Sequence, residues 1–320
     1  MKEFKTHRQQ LRILRDRGLA VPKNGTPKKI LLEENYYSLI NGYSKPFLKN
    51  DPNNDSHYIE GSTFNELYSL YLFDRELKAI LFKHIIAVES KIKSIIAYTF
   101  SKNSSDDKYL KISSFENYIK VPVRKEKKEN QTKQITGLIL KLQEDITYYY
   151  NKKDYIKHYL NNYGYIPLWV LVNCLSFGVI SKFYSLMKDN QKIEVSKHFD
   201  LHQNNLKKYI RALSEARNLC AHDERLYNIR LRNDSKIYDT AYHNTLGIPK
   251  NKGNYINGKN DFLSILISLK DLLPKRDFKV LVKEINKELS KLENALVSID
   301  ISEIRKTMGL PDCWKDIQNM

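Results

Sequence analysis

Residues 62–100 read STFNELYSLYLFDRELKAILFKHIIAVESKIKSIIAYTF, and their periodicity decides the fold class. Phe64, Leu67, Leu70, Tyr71, Leu77, Ile80, Leu81, Val88, Ile92, Ile95 and Ile96 recur at steps of three and four. That spacing lines one side of an α-helix. Glu66 follows Thr63 by three positions, as a capping box requires, so Ser62-Thr63 marks the start. Unbroken to Phe100, the helix would be ~55 Å long, more than a compact domain usually needs, which leaves room for a kink.

Working outward, a short basic helix is predicted over 4–18, stopped by Gly18. A second opens at Thr26-Pro27, with Thr as cap and Pro in the first turn, and runs to Asn41 before Gly42. Residues 43–61 read as loop. Residues 101–134 read as a solvated loop containing Arg124-Lys125-Glu126-Lys127-Lys128-Glu129. Helices are predicted at 132–151, 153–162, 168–175, 178–188, 191–198 and 203–223, then at 261–273 and 276–297. Residues 227–231 suit a short extended piece, 232–260 a loop, and the last residues a tail around Met308-Gly309-Leu310-Pro311 and Trp314. Repeats, Gly-rich phosphate loops and strand alternation are not evident, so the class is all-α.

The 320 residues carry 54 Lys and Arg against 37 Asp and Glu, a formal charge of +17. Such a surplus suits a polyanionic partner, because counterions released from a phosphate backbone favour binding. An AT-rich coding bias toward Lys, Asn, Ile and Tyr would produce the same composition without selection for binding. Cys174, Cys220 and Cys313 are widely spaced, which argues against a zinc site or a disulfide framework and fits a reduced cytosol. The charged N-terminal segment lacks the apolar stretch of a signal peptide, and no window approaches ~20 apolar residues. These features predict a cytoplasmic protein with no membrane partner.

The chemistry concentrates in Arg217-Asn218-Leu219-Cys220-Ala221-His222 near the end of a predicted helix. Arginine grips phosphate with a fixed fork of donors, and histidine moves protons near neutral pH. At about 100° per residue, Asn218 and His222 share a face, whereas Arg217 points about 140° away from His222. Two copies of the helix related by a two-fold axis would bring Arg217 and His222 to one phosphate, which predicts a homodimer with a composite site. On the bland alternative, His222 caps a carbonyl and Arg217 pairs with Glu215 or Asp223. Other chemistry-bearing residues have structural readings beside them. Trp169 suits a core anchor, Arg75 and Glu89 buried polar partners, and His84 a satisfied core histidine. Tyr148, Tyr149 and Tyr150 suit either packing or base stacking. Arg225, Tyr227, Arg124, Lys125, Lys127 and Lys128 are candidate RNA contacts. Asp74 and Glu76 are two apart on a helix and face apart, which argues against paired acid/base work.

Four segments, in order, resemble the Abi-like family of bacterial abortive-infection proteins, of the AbiD/AbiF kind. They are Asn35–Tyr43 with Lys45-Pro46-Phe47; Leu70–Leu77 with Glu89; Ile166–Val170 with Leu175–Gly178; and Arg217–His222 with Arg225–Asn228. The resemblance spans roughly residues 25–230. Asn173 departs from it, standing where similar proteins often carry a carboxylate. The family belongs to the HEPN superfamily, and the resemblance implies a HEPN-type helical bundle that cleaves RNA without a metal or other cofactor. Arg217, Asn218 and His222 match the superfamily's catalytic motif. The implied organisation is an N-terminal helical extension (1–60), a HEPN-like core (61–231) and a C-terminal loop with helices (232–320). The expected function is a ribonuclease toxin in phage defence, restrained as in a toxin–antitoxin pair by a small structured non-coding RNA, with a protein antitoxin or self-inhibition by the helices from 261 onward as the other restraints. The competing expectation is a catalytically silent RNA-binding sensor or scaffold.

Overall fold

The computed structural model describes residues 3–49, 57–102, 107–115 and 125–320, with backbone only for 125–127. Its elements are α1 (His7–Asp16), α2 (Thr26–Glu33), α3 (Phe64–Lys102), α4 (Lys125–Tyr149), α5 (Asp154–Tyr163), α6 (Leu168–Leu171), α7 (Phe177–Leu186), α8 (Asp189–Lys197), α9 (Gln203–Ala221), α10 (Ala241–Thr245), α11 (Phe262–Leu272), α12 (Lys275–Glu293) and α13 (Ile301–Met308). A two-strand hairpin, β1 (Lys250–Asn251) with β2 (Asn254–Tyr255), is the sheet structure among the described residues. The protein is all-α.

α3 runs its 39 residues as one helix, about 58 Å, and forms the axis of the molecule. α6, α7, α8, α9, α11 and α12 all pack against it. Its start is the capping box read from the sequence. The Thr63 backbone N–H donates to Glu66 Oε2 at 2.8 Å, and the Glu66 N–H donates to Thr63 Oγ1 at 3.1 Å. The other carboxylate oxygen reaches the far end of the chain. Glu66 Oε1 accepts from the backbone of Val297 at 2.7 Å and Ser298 at 2.6 Å, and from Ser298 Oγ at 2.9 Å. One buried carboxylate thus caps the central helix and pins the turn between α12 and α13. The N-terminal segment joins the same point, since the Phe64 N–H donates to Ala20 O at 2.9 Å.

α11 is buried along almost its whole length, from Phe262 to Leu269. Helices apolar all round lie inside a protein, so the C-terminal helices share one hydrophobic core with the rest.

The structure corrects several expectations. The second helix stops at Glu33 rather than Asn41, because Glu34 turns extended and Asn35 Oδ1 accepts from the Tyr37 and Ser38 amides. That cap starts a separate π-helical turn, Tyr37–Asn41. Gly25, not Thr26, is the N-cap of α2. The charge run at 125–129 is the first turn of α4 rather than loop, since Lys, Glu and Gln are good helix formers and polarity alone does not make a loop. Residues 168–175 are helical only to Leu171, and 227–231 form no strand. The 232–260 region holds α10 and the hairpin, and the tail folds into α13 and a 3-10 turn, Trp314–Asn319, with Trp314 buried. Trp169 is 51% exposed, not a core anchor. α6 is a single turn whose Leu168, Val170 and Leu171 take the buried side, which leaves Trp169 outside. His84 is buried as expected, its Nε2 3.1 Å from Glu284 Oε2 on α12. No described helix is long and apolar enough to cross a membrane.

Burial pushes the Glu66 pKa up, but the hydrogen bonds from Ser298, Val297 and Thr63 outweigh it and hold the carboxyl below its ordinary value. A lowered folded pKa contributes stability that is present above the unfolded value and lost as pH falls through the folded one. Glu66→Gln is therefore expected to cost about 2–3 kcal/mol at pH 7, since hydrogen bonds to a charged acceptor are worth about 1.5–3 kcal/mol each. The gap between parent and variant should narrow as pH falls below the ordinary Glu value of about 4.3 and through the lower folded one. Urea denaturation of both chains at pH 7 and pH 3.5 measures it; a gap independent of pH would show that the charge of Glu66 is not what holds the turn.

Candidate active site

α9 enters the core through Leu206, Tyr209, Ile210, Ala212, Leu213, Ser214 and Ala216. Leu219 is partly buried against the same core. The helix ends in a Schellman motif. The His222 N–H donates to Asn218 O, and the Glu224 N–H donates to Leu219 O, both at 3.0 Å. Asp223 takes the left-handed position with φ of 55°, which glycine usually fills and Asp tolerates better than most. Asp223 is held there by an ion pair with Lys78 of α3, whose side chain is 6% exposed. His222 is therefore the helix C-cap, exposed at the lip of a tightly specified turn.

Two residues farther on, Asp74 of α3 fixes the emerging chain. Its carboxylate accepts from the Tyr227 N–H at 2.7 Å, the Leu226 N–H at 3.2 Å and Tyr43 Oη at 2.7 Å. Burial pushes the Asp74 pKa up, opposed by the Tyr43 hydroxyl, the Lys78 charge and the two amides. Tyr43 stacks on Tyr227 with ring centroids 5.8 Å apart at 22°. Tyr227 is only 1% exposed, so its expected role as an RNA contact is corrected: Asp74 turns its backbone inward and its ring joins the core.

Arg217 takes a different direction. Its Nε lies 3.6 Å from Glu89 Oε2, and its guanidinium carbon lies 5.8 Å from the centre of the Phe82 ring, within cation–π range. Glu89 is buried as expected and also binds Lys93 Nζ at 2.7 Å. The Arg217 side chain keeps 27% exposure. Neither Glu215 nor Asp223 is its partner; Glu215 pairs with Arg232. Arg75 was expected to be buried and is not. One step round α3 from Asp74, it is 58% exposed and 3.4 Å from Glu34.

Asp74, Lys78, Phe82, Glu89 and Lys93 occupy a single stripe of α3, spanning about 100° at 100° per residue. All five act on α9 or the turn after it, directly or through Glu89. Sequence reasoning missed Lys78, Phe82 and the anchoring role of Asp74. The signal was present as polar residues at i, i+4 on the face that also carries Ile85.

His222 lines a cavity of about 370 Å³ with Tyr37, Asn41, Gly42, Tyr71 and Arg225. Arg225 Nη1 donates to Gly42 O at 2.7 Å, which ties the first family-like segment to the last. Arg217 does not line this cavity. Asn218 is exposed between the two. Lys128 is exposed on α4, of Lys125 and Lys127 only the helical backbone is described, and Arg124 lies outside the described residues. Among the described residues, no three His, Cys, Asp or Glu side chains gather to hold a metal ion.

Asp74→Ala would leave two buried amides and the Tyr43 hydroxyl without their acceptor, and would remove a negative charge from the neighbourhood of Lys78. The expected cost is about 3–5 kcal/mol. In Asp74→Asn, native-state hydrogen exchange should show the Leu226 and Tyr227 amides losing protection before those of α9. Unchanged protection would mean that Asp74 does not fix the turn.

Neither a curated protein nor a solved structure matches the chain. A family model for Abi-like proteins matches residues 29–228. That span takes in Asn35, Asp74, Glu89, Trp169, Arg217 and His222, the residues that build the α3–α9 arrangement and its surroundings. The chain belongs to the Abi-like protein family, which associates it with abortive infection in phage defence.

Proposed function

We propose that this chain is a metal-independent endoribonuclease of HEPN type, acting as the toxin of an abortive-infection system. The observation that carries the reading is the contrast within one helix end. His222 stands exposed on a fixed cap, while Arg217, five residues earlier, is oriented by a buried carboxylate and keeps part of its guanidinium open.

In the proposed reaction the 2′-oxygen of RNA attacks the adjacent phosphorus. The P–O5′ bond breaks, and a 2′,3′-cyclic phosphate and a 5′-hydroxyl result. His222 takes the proton from the 2′-hydroxyl or gives one to the leaving oxygen. Arg217 balances charge developing on the phosphoryl oxygens, which is worth most when the donor is positioned beforehand, as Glu89 and Phe82 do here. Asn218 orients His222 or binds the same phosphate. DNA, lacking the 2′-hydroxyl, is not cut.

Arg217 faces α3 and His222 faces the cavity beside Tyr37, so one protomer does not aim both at the same atom. A second copy supplies the missing half across a two-fold axis. The restraint proposed for the uninfected cell is a small structured RNA, held by the basic surface.

Incubating purified protein with total RNA in EDTA should yield 5′-hydroxyl ends. Arg217→Ala or His222→Ala should reduce the rate by about a hundredfold or more, as loss of an acid–base or charge-stabilising group does. Salt-sensitive binding without cleavage would replace the enzyme reading with that of an RNA-binding module. Mixing the two inactive variants tests the composite site. Subunit exchange gives mixed dimers with one intact Arg217–His222 pair, so activity should return to roughly a quarter of the parent's. No recovery under conditions where subunits exchange would refute a site shared between protomers.

A further inference from the structure

Beyond the proposed catalytic residues, α3 lines an open cavity that begins at the same clamp. Lys93, bound to the Glu89 that orients Arg217, lies one turn along α3 from it and lines a groove of about 800 Å³. The groove continues past Tyr98 to Lys102 on one side and is closed by Trp169, Val172 and Asn173 on the other. From Lys93 to Lys102 is about 14 Å of helix.

Two aromatic rings stand in this groove largely in water: Tyr98 is 66% exposed and Trp169 51%. Trp169 is nonetheless held. Tyr159 meets it edge-on with centroids 5.8 Å apart, and Tyr159 in turn packs on Tyr163 at 5.5 Å. An exposed ring held in place offers a face on which a base can stack. The rest of the lining is Ser90, Ser94, Ala97, Ser101, Val172, Asn173 and the two lysines; no carboxylate lines it, though Lys93 pairs with Glu89 and Lys102 with Glu194. Lysine and serine are depleted from protein–protein interface cores, whereas aromatic faces interleaved with cations are how unpaired bases and their phosphates are held. The Lys102 side chain is 56% exposed beside its Glu194 partner, so its ammonium has donors left for a phosphate.

We propose that this groove holds unpaired nucleotides of single-stranded RNA, with Trp169 and Tyr98 stacking on bases and Lys93 and Lys102 meeting phosphates. It rests on the reading that RNA is the substrate, and it places the strand beside the clamp that carries Arg217.

The test uses the full chain and a 2′-O-methyl oligouridine of twelve nucleotides, which has no free 2′-hydroxyl and cannot be cut. Of the two tryptophans, Trp314 is buried at 1% exposure, so quenching on titration reports Trp169. Quenching in the parent should vanish in Trp169→Phe, while affinity by fluorescence anisotropy stays within about threefold, because Phe still stacks. Trp169→Ala and Tyr98→Ala should each weaken binding by roughly five- to a hundredfold. Both positions are exposed, so folding is expected to survive, and circular dichroism checks it. Equal affinity of both alanine variants and the parent, or no binding by the parent, overturns the groove. So does an unchanged affinity accompanied by a fall in solution mass from dimer to monomer, which would make this face the contact between copies. Binding and quenching by a parent that leaves unmodified RNA uncut would refute the proposed reaction and leave the groove standing.

Discussion

The contact between one face of α3 and the end of α9 is what the rest of the arrangement depends on. Two buried carboxylates on that face do opposite jobs. Asp74 accepts two main-chain N–H groups and so fixes where the chain goes after the helix. Glu89 takes a side-chain cation and so fixes where Arg217 points. Between them Lys78 holds Asp223 in a backbone conformation that costs about 1 kcal/mol or more for a residue other than glycine. A buried carboxylate is tolerated when its charge is met by donors of this kind, and removing the donors or the acceptor is costly because the remainder stays buried. The turn carrying His222 is therefore rigid although His222 itself lies in solvent.

This rigidity bears on chemistry. Catalysis by an arginine and a histidine requires both groups to be in place before the substrate arrives. The clamp orients Arg217 from the side of α3, and the helix cap sets the backbone of His222 beside the Tyr37–Tyr43 segment. Because the two supports lie on different sides of α9, the fold keeps the groups apart within one chain. The composite site proposed above rests on this support geometry as well as on the helical angle. The groove along α3 extends the same logic, since Lys93 belongs both to the clamp and to the groove wall.

Much of the helical architecture was legible because periodicity at three and four residues is a local property. The 39-residue helix, its Thr63–Glu66 cap and the span of α9 follow from sequence spacing alone. Illegible elements had a local pattern that two structures share. A Lys/Glu run serves a solvated loop or a helix start, and at 125–129 it starts α4. Trp169 looked like core because tryptophan is large and apolar, but a one-turn helix has room for only part of its surface inside. Tyr227 looked like a surface contact because it borders the Arg217–His222 motif, yet a carboxylate 153 positions earlier turns it inward.

The sequence by itself determined the helical class, the order of the elements and the six residues in which a guanidinium and an imidazole sit five positions apart. Those depend on covalent spacing and on a fixed 100° turn per residue. Tertiary structure alone decided which partners these groups have: Glu89 for Arg217, Asp74 for the chain beyond His222, and Glu66 for a turn more than 230 residues away. Such pairings depend on which faces meet in the core, and nothing in the spacing along a chain encodes the distance between two side chains brought together from its opposite ends.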